Sequence, residues 1–436
     1  MYRTKIEELK QWKEKKERKP LILNGARQVG KTWLANEFGR LNFEEVAHVV
    51  FFNNQPMKEV FNGSLAPNRL LQAISAETDT HASSGKCLII LDEIQDCPRA
   101  LESLKLFCEQ TPEIPIIAAG SLLGISLHQD ISFPVGKVEI QNLYPMNFYE
   151  FLLGTKKQQL ADLLDNQDFN LINSFSEKFI DEYKNYLVVG GMPEAVKKFS
   201  EGGNFADIRN IQNMILAGYE ADFSKHTPNL LAKKISYVWQ SLPSQLSKEN
   251  KRFLYSVVRD GARARGYEDA VQWLCDSGLV CKVSRISAPR LPLKSYVDLA
   301  CFKLFALDVG ILSALASLDP KLIISDSLFL TEFKGSITEQ YVSQQLISEL
   351  NITPYYWSAS NSKGEVDFVI ERDASIIPCE AKASVNLRAK SLHAFQKKYK
   401  IDHAIRFSLA NYEEQSTLTN VPLYAIHCLK NSQPTF

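Results

Sequence analysis

Leu21-Ile22-Leu23-Asn24-Gly25-Ala26-Arg27-Gln28-Val29-Gly30-Lys31-Thr32 is the stretch from which the rest of the chain is read. Its last eight residues match the phosphate-loop pattern G-x-x-x-x-G-K-[ST], and the apolar run before them reads as a buried strand. Trp33 to Arg40 reads as the helix leading out. Gly25 and Gly30 let the backbone wrap tightly, so the N–H groups of Ala26, Arg27, Gln28 and Val29 converge on a phosphate beside a helix N-terminus. Lys31 is placed to reach the β- and γ-phosphates, and the Thr32 hydroxyl to ligate Mg²⁺. A plain glycine-rich turn is the rival reading; the strand, the helix and a partner motif favour a nucleotide site.

The partner is Cys87-Leu88-Ile89-Ile90-Leu91-Asp92-Glu93. An apolar strand ending in two carboxylates puts Asp92 at the sheet tip beside the Mg²⁺ shell. Glu93 is then placed to orient and deprotonate a water against the γ-phosphate. Two carboxylates argue for hydrolysis rather than mere binding. Without the phosphate loop upstream, they would read as acidic caps before a helix around residues 100–109. A further strand ends in Ala119-Gly120-Ser121, where Ser121 could hydrogen-bond the attacking water or the γ-phosphate as a sensor.

The chain has 436 residues, 45% hydrophobic and 23% charged, which is ordinary globular composition with room for roughly three domains. Fifty basic residues balance fifty acidic ones, so no whole-molecule field favours nucleic acid, and any such partner must be met by a local patch. The eight cysteines show no C-x-x-C pair and read as reduced thiols of a cytosolic protein. No apolar run approaches the roughly 20 residues that span a bilayer, and the charged Tyr2–Lys19 stretch reads as an amphipathic helix rather than a signal.

Apolar runs at Leu21–Leu23, Ala47–Phe52, Cys87–Leu91, Ile114–Ala119 and Val138–Leu143 suggest a parallel α/β sheet covered by helices over residues 1–155. Residues 156–228 carry little strand signal and read as a helical lid. Gly190-Gly191-Met192-Pro193-Glu194 interrupts it, ending one helix and opening the next. Residues 229–301 read as three helices (Ala232–Ser241, Lys248–Gly261, Gly266–Ser277) and two strands (Val280–Ile286, Leu293–Asp298), the pattern of a winged helix. Between Leu246 and Lys294 basic residues outnumber acidic ones ten to five. Lys248, Lys251, Arg252, Arg259, Arg263 and Arg265 would suit a DNA backbone, or would simply solvate a packing module. Residues 302–436 mix helices with the strands Thr353–Ser358, Glu365–Glu371 and Ser375–Ala383.

With these motifs stand Gly120-Ser121-Leu122-Leu123, Leu143-Tyr144-Pro145-Met146, the Gly190–Glu194 segment and Tyr219-Glu220-Ala221-Asp222. Together they resemble the prokaryotic ATPases of the AAA-related class, over nearly the whole chain. In that class a P-loop NTPase domain is followed by a helical lid, a winged helix and a C-terminal domain of unassigned function. The resemblance implies ATP and Mg²⁺ as ligands, and a sheet in which the Asp-Glu strand lies next to neither edge. Such proteins often carry a Gly-Arg pair after the sensor strand; here it is Gly136-Lys137, and lysine cannot form the bidentate fork. Arg99 or a neighbouring subunit would have to supply the group, or turnover would be slow.

Gly364-Glu365-Val366-Asp367-Phe368-Val369-Ile370 and Cys379-Glu380-Ala381-Lys382, with Glu339 on the preceding helix, resemble the restriction-endonuclease-like pattern of an acidic helix residue, Asp, then Glu-x-Lys. That resemblance implies a metal held by Glu339, Asp367 and Glu380, with Lys382 activating a water for phosphodiester attack. Charged alternation at a sheet surface is the ordinary alternative. The expectation is an ATPase whose nucleotide state positions a winged helix and nuclease-like domain on DNA. The alternative is a nucleotide-dependent DNA- or protein-binding switch with little hydrolysis and no nuclease activity. The oligomeric state is left open.

Overall fold

Short apolar runs separated by amphipathic stretches fold as a parallel sheet in the computed structural model, which describes residues 2–121, 134–248, 251–325, 331–359, 364–384 and 390–430. Leu122 and Leu123 lie outside the described residues. The chain divides into two compact units, residues 2–144 with 276–279, and residues 145–275 with 280–436.

In the first unit β1 (Leu21–Asn24), β2 (Glu45–Val50), β3 (Cys87–Asp92), β4 (Ile116–Gly120) and β5 (Glu139–Asn142) pair in the order β2-β3-β4-β1-β5, all parallel. Each of the five expected runs is a strand. Every residue of β3 and β4 is buried, as a strand covered on both faces requires, whereas β5 alternates because it is an edge. The Asp-Glu strand β3 lies one strand in from an edge, with β2 outside it, which corrects the implied placement next to neither edge. Helices Lys5–Glu14, Lys31–Asn42, Gln55–Asn62, Pro67–Thr78 and Pro98–Gln110 cover the sheet. Three of them carry proline in the first turn, where its missing N–H leaves no bond unmade. Residues 276–279 belong to this unit; Gly278 has φ 72, and a Cβ there would stand 3.4 Å from the Ala26 nitrogen.

The second unit begins helically, through Phe148–Gly154, Ser176–Val189, Pro193–Ser200 and Phe205–His226 among others. Gly190 ends one of these helices at φ 71, and Pro193 opens the next. The pair is fixed by close approach: a Cβ would stand 2.2 Å from Asp308 Oδ1 at Gly190 and 2.0 Å from the Met146 oxygen at Gly191. Asn229–Leu246, a single turn at Tyr255–Val258 and Ala264–Asp276 follow. Of the helix expected over 248–261 the described residues form only that one turn, because Gln245 Oε1 and the Phe302 oxygen accept from Leu254 N and Phe253 N at 2.9 and 2.8 Å.

Strands β6 (Val280–Ile286), β7 (Val297–Ala306), β8 (Tyr355–Ser358), β9 (Glu365–Arg372), β10 (Ser375–Ala381), β11 (Ala404–Ser408), β12 (Glu413–Glu414) and β13 (Leu418–Pro422) form a mixed sheet in the order β12-β13-β11-β10-β9-β8-β6-β7. The antiparallel pair β6–β7 thus shares one sheet with the C-terminal strands, through parallel pairing of β6 with β8. The expected strand at Leu293–Asp298 starts instead at Val297, after a 3₁₀ turn at Leu293–Tyr296. The β9–β10 turn falls at Asp373 and Ala374, both at positive φ as a two-residue hairpin turn requires.

Candidate functional site: a nucleotide loop and a second acid cluster

At the end of β1 the Asn24 amide donates to Asn142 Oδ1 at 2.9 Å. The chain then passes so close to the strand beside it that a Cβ at Gly25 would stand 2.2 Å from the Leu143 oxygen; only glycine fits. Gln28 (φ 66) and Gly30 (φ 95) adopt left-handed conformations in the turn, and Lys31 opens the helix. Lys31 is 8% exposed. Its Nζ donates to the oxygens of Gly25 and Ala26 at 2.9 and 2.8 Å. Burial pulls its pKa down to about 8, against the opposing pull of Glu93 and Asp92.

Thr32 Oγ1 donates to Asp92 Oδ2 at 2.8 Å, and His48 Nε2 lies 3.3 Å from the same oxygen. The Glu93 amide donates to Asp92 Oδ1 at 3.0 Å. Burial raises the Asp92 pKa, but the hydrogen bonds from His48, Thr32 and the Glu93 amide outweigh it and hold the carboxyl below its ordinary value. An anionic carboxylate beside a hydroxyl at a helix start is a hard-oxygen pair of the kind Mg²⁺ takes, so Thr32 and Asp92 fit that ion. The tight glycine turn and the loop N–H groups likewise fit a polyphosphate.

Glu93 sits in a left-handed conformation, φ 51, before a single 3₁₀ turn at Ile94–Asp96. Its Oε2 accepts from Gln95 Nε2, which is also 3.5 Å from Ser121 Oγ. Gln95 Oε1 is buried and has no partner among the described residues. Ser121 is 6% exposed just beyond β4, which pairs with both β1 and β3. The loop, Asp92, Glu93 and Ser121 thus gather at the carboxyl ends of three neighbouring strands.

Sequence reasoning missed three residues here. His48 had a faint signal, as the one ring nitrogen in an otherwise apolar run. Gln95 had none. Arg3, 3% exposed, donates from Nη1 to the Val29 oxygen at 2.8 Å and from Nη2 to the Tyr144 oxygen at 2.6 Å, pinning the loop backbone to the chain beyond β5. Lys137 forms an ion pair with Glu109 at 2.9 Å, and Arg99 donates to the Gly63 oxygen at 3.1 Å, so both candidate cations are committed elsewhere.

In the second unit Asp367 on β9, Glu380 on β10 and Lys382 beyond it come together with Glu339. Glu380 Oε1 pairs with Lys382 Nζ at 2.7 Å, and Asp367 Oδ2 accepts from the Ala381 amide at 2.9 Å. Glu339, buried, is bonded by Lys251 and lies 3.3 Å from Lys303 Nζ. Lys251, one of the basic residues read as facing a phosphate backbone, is therefore engaged inside the fold. Arg252, Arg259, Arg263 and Arg265 are exposed. Among the described residues no group of three His, Cys, Asp or Glu side chains is placed to hold a metal ion, and no helix is long and apolar enough to cross a membrane.

Three family models match successive stretches: an AAA domain over residues 17–152, a domain of unknown function (DUF8612) over 180–322, and a domain of unknown function (DUF4143) over 334–428. No curated protein matches the chain. Among solved structures, the Walker-type ATPase PABY2304 of Pyrococcus abyssi is similar at 14% identity, covering 72% of this chain and 95% of its own, with a TM-score of 0.44. The Aeropyrum pernix ORC1 protein, in a structure with DNA, is 14% identical over 73% of this chain and 93% of its own, with a TM-score of 0.30. Cdc6p of Pyrobaculum aerophilum is 11% identical over 71% and 88%, with a TM-score of 0.23. TM-scores this low give the three likenesses no weight in assigning a function.

Proposed function

From a phosphate loop lying in an AAA domain, we propose that this chain is a Mg²⁺-dependent ATPase of slow turnover whose nucleotide state positions its second unit on DNA. The observation that carries this reading is the buried Asp92, held anionic by Thr32 and His48 at the tip of β3, beside a loop shaped by Gly25 and Gly30. Mg²⁺, when bound by Thr32 and Asp92, would neutralise charge on the phosphates. Lys31 would leave the loop carbonyls for a phosphate oxygen. Glu93 would take the proton of the attacking water, with Ser121 and Gln95 orienting it. Slow turnover is supported by the lysine at position 137, which lacks the arginine fork, and by the contacts of Lys137 with Glu109 and of Arg99 with the Gly63 oxygen.

The DNA part rests on the exposed Arg252, Arg259, Arg263 and Arg265, and on three helical segments followed by the β6–β7 pair, which supports the winged-helix reading of residues 229–301. For residues 302–436, a helix, three antiparallel strands, a helix and a parallel strand support the nuclease-like fold. Eight free cysteines support a cytoplasmic setting.

Lys31→Ala is expected to abolish nucleotide binding, and Glu93→Gln to keep binding while losing turnover. Normal hydrolysis by Glu93→Gln would show that Glu93 is not the base. ATPase rates with duplex DNA, single-stranded DNA and RNA test the partner; no stimulation by any of them would shift weight to a protein partner.

A further inference from the structure

Strand β7 carries Lys303, a lysine with 0% exposure in a position where a strand would ordinarily bury an apolar residue. Its Nζ is 2.5 Å from Glu365 Oε1 and 3.3 Å from Glu339 Oε2, and the Tyr356 ring centre lies 5.0 Å away. Lys251 bonds Glu339 Oε1, so both oxygens of that carboxylate are taken by ammonium groups. Burial disfavours a charged Lys303, but Glu339, Glu365 and Asp367 more than offset it and raise its pKa.

Counting charge, Lys303 and Lys251 balance Glu339 and Glu365, and Lys382 balances Glu380. Asp367 is left over, but burial and Glu339 push its carboxyl toward the neutral form, and one of its oxygens already accepts the Ala381 amide. Glu380 Oε2 is buried and, among the described residues, without a partner, yet Glu339 gives both oxygens to ammonium groups and Glu380 Oε1 and Asp367 Oδ2 already accept bonds, so few oxygens are open to a divalent ion. A divalent ion entering here would meet the buried Lys303 ammonium. The residues present do not fit a resident metal.

We infer that Lys303 is the built-in cation of this acid cluster, that Glu339, Asp367 and Glu380 hold no divalent ion while it is there, and that the cluster locks β7 to the helix Thr331–Ser348 and to β9 instead of cleaving phosphodiesters. The test is Mn²⁺ titration of the full chain by electron paramagnetic resonance, without nucleotide, with Asp92→Asn in every sample so that the nucleotide site is not counted. The chain with Lys303 intact should show no site tighter than about 1 mM, and Lys303→Met should gain one that binds at least about tenfold more tightly and is lost again on adding Asp367→Asn. A folded Lys303→Met protein that gains no site would overturn the inference. So would a site in the Lys303-intact chain that Asp367→Asn removes. If Lys303→Met does not fold, the Lys303-intact titration decides: an Asp367-dependent site overturns the inference, and the absence of one supports it.

Discussion

Lys31 rests on two carbonyl oxygens of its own loop, with a pKa drawn down to about 8 by burial. A phosphate beside that ammonium favours its charged form, so above about pH 8 nucleotide binding should take up a proton and weaken as pH rises. Calorimetry at about pH 8.5 in two buffers of unequal ionisation heat reads that uptake. Identical heats would mean that Lys31 is already charged. Arg3 works on the same loop from behind, through the Val29 and Tyr144 oxygens. Charge-assisted bonds of this kind contribute about 1.5–3 kcal/mol each. Arg3→Ala should therefore weaken nucleotide binding by about tenfold or more, and Arg3→Lys should recover only part, since one ammonium lacks the planar fork. Unchanged nucleotide affinity in Arg3→Ala, read by fluorescent-nucleotide titration, would reduce Arg3 to a packing residue.

Among the elements, the Gly190-Gly191 pair gives the sharpest expectation. Gly191→Ala would put a Cβ 2.0 Å from a backbone oxygen, which nothing flexible can relieve. It should cost more than about 2 kcal/mol in urea denaturation. Gly136→Ala, at φ 73 with none of the described residues within 4 Å of its Cβ, should cost only the strain of the left-handed conformation, about 1 kcal/mol. Equal losses would mean that the contact at Gly191 is relieved by backbone movement. The same elements show what was legible in advance. Strands β1 to β5, the phosphate loop and the glycine pair were readable because each is a local pattern: an apolar run, a fixed spacing, a Gly-Gly before Met-Pro. The single turn at Tyr255–Val258 was not, because Phe253 is held by Phe302, a partner that no local window contains. His48 and Lys303 escaped, and Lys251 was read as facing a phosphate backbone, for the same reason. Each looks like a surface residue until a distant strand or helix brings a carboxylate to it.

At the scale of the whole molecule, His427 fastens the chain's last described turn to the end of one helix, at Asp165, and to the turn that follows another, at Glu349. Its Nδ1 lies 2.9 Å from Glu349 and its Nε2 2.8 Å from Asp165, while Tyr149 stacks on the ring at 4.0 Å and bonds Asp165. Lys430 is 3.5 Å from Glu349. Burial lowers the His427 pKa, but the two carboxylates outweigh it and raise the pKa above its ordinary value. A raised pKa stabilises the fold fully below the unfolded value of about 6.5, and that contribution is lost as pH climbs through the folded value. Urea denaturation of the second unit should therefore weaken as pH rises above about 6.5 more in the parent chain than in His427→Gln. Parallel profiles would show that the ring is neutral throughout.

The loop neighbourhood is also assembled from two stretches far apart along the chain, because Gly278 lies against the Ala26 backbone. A ribosome making this protein releases the strand, turn and helix of the nucleotide site early, yet must go on past residue 279 before the last piece of that unit exists. A fragment ended at Tyr144 would accordingly be missing part of its own wall, however well its five strands formed.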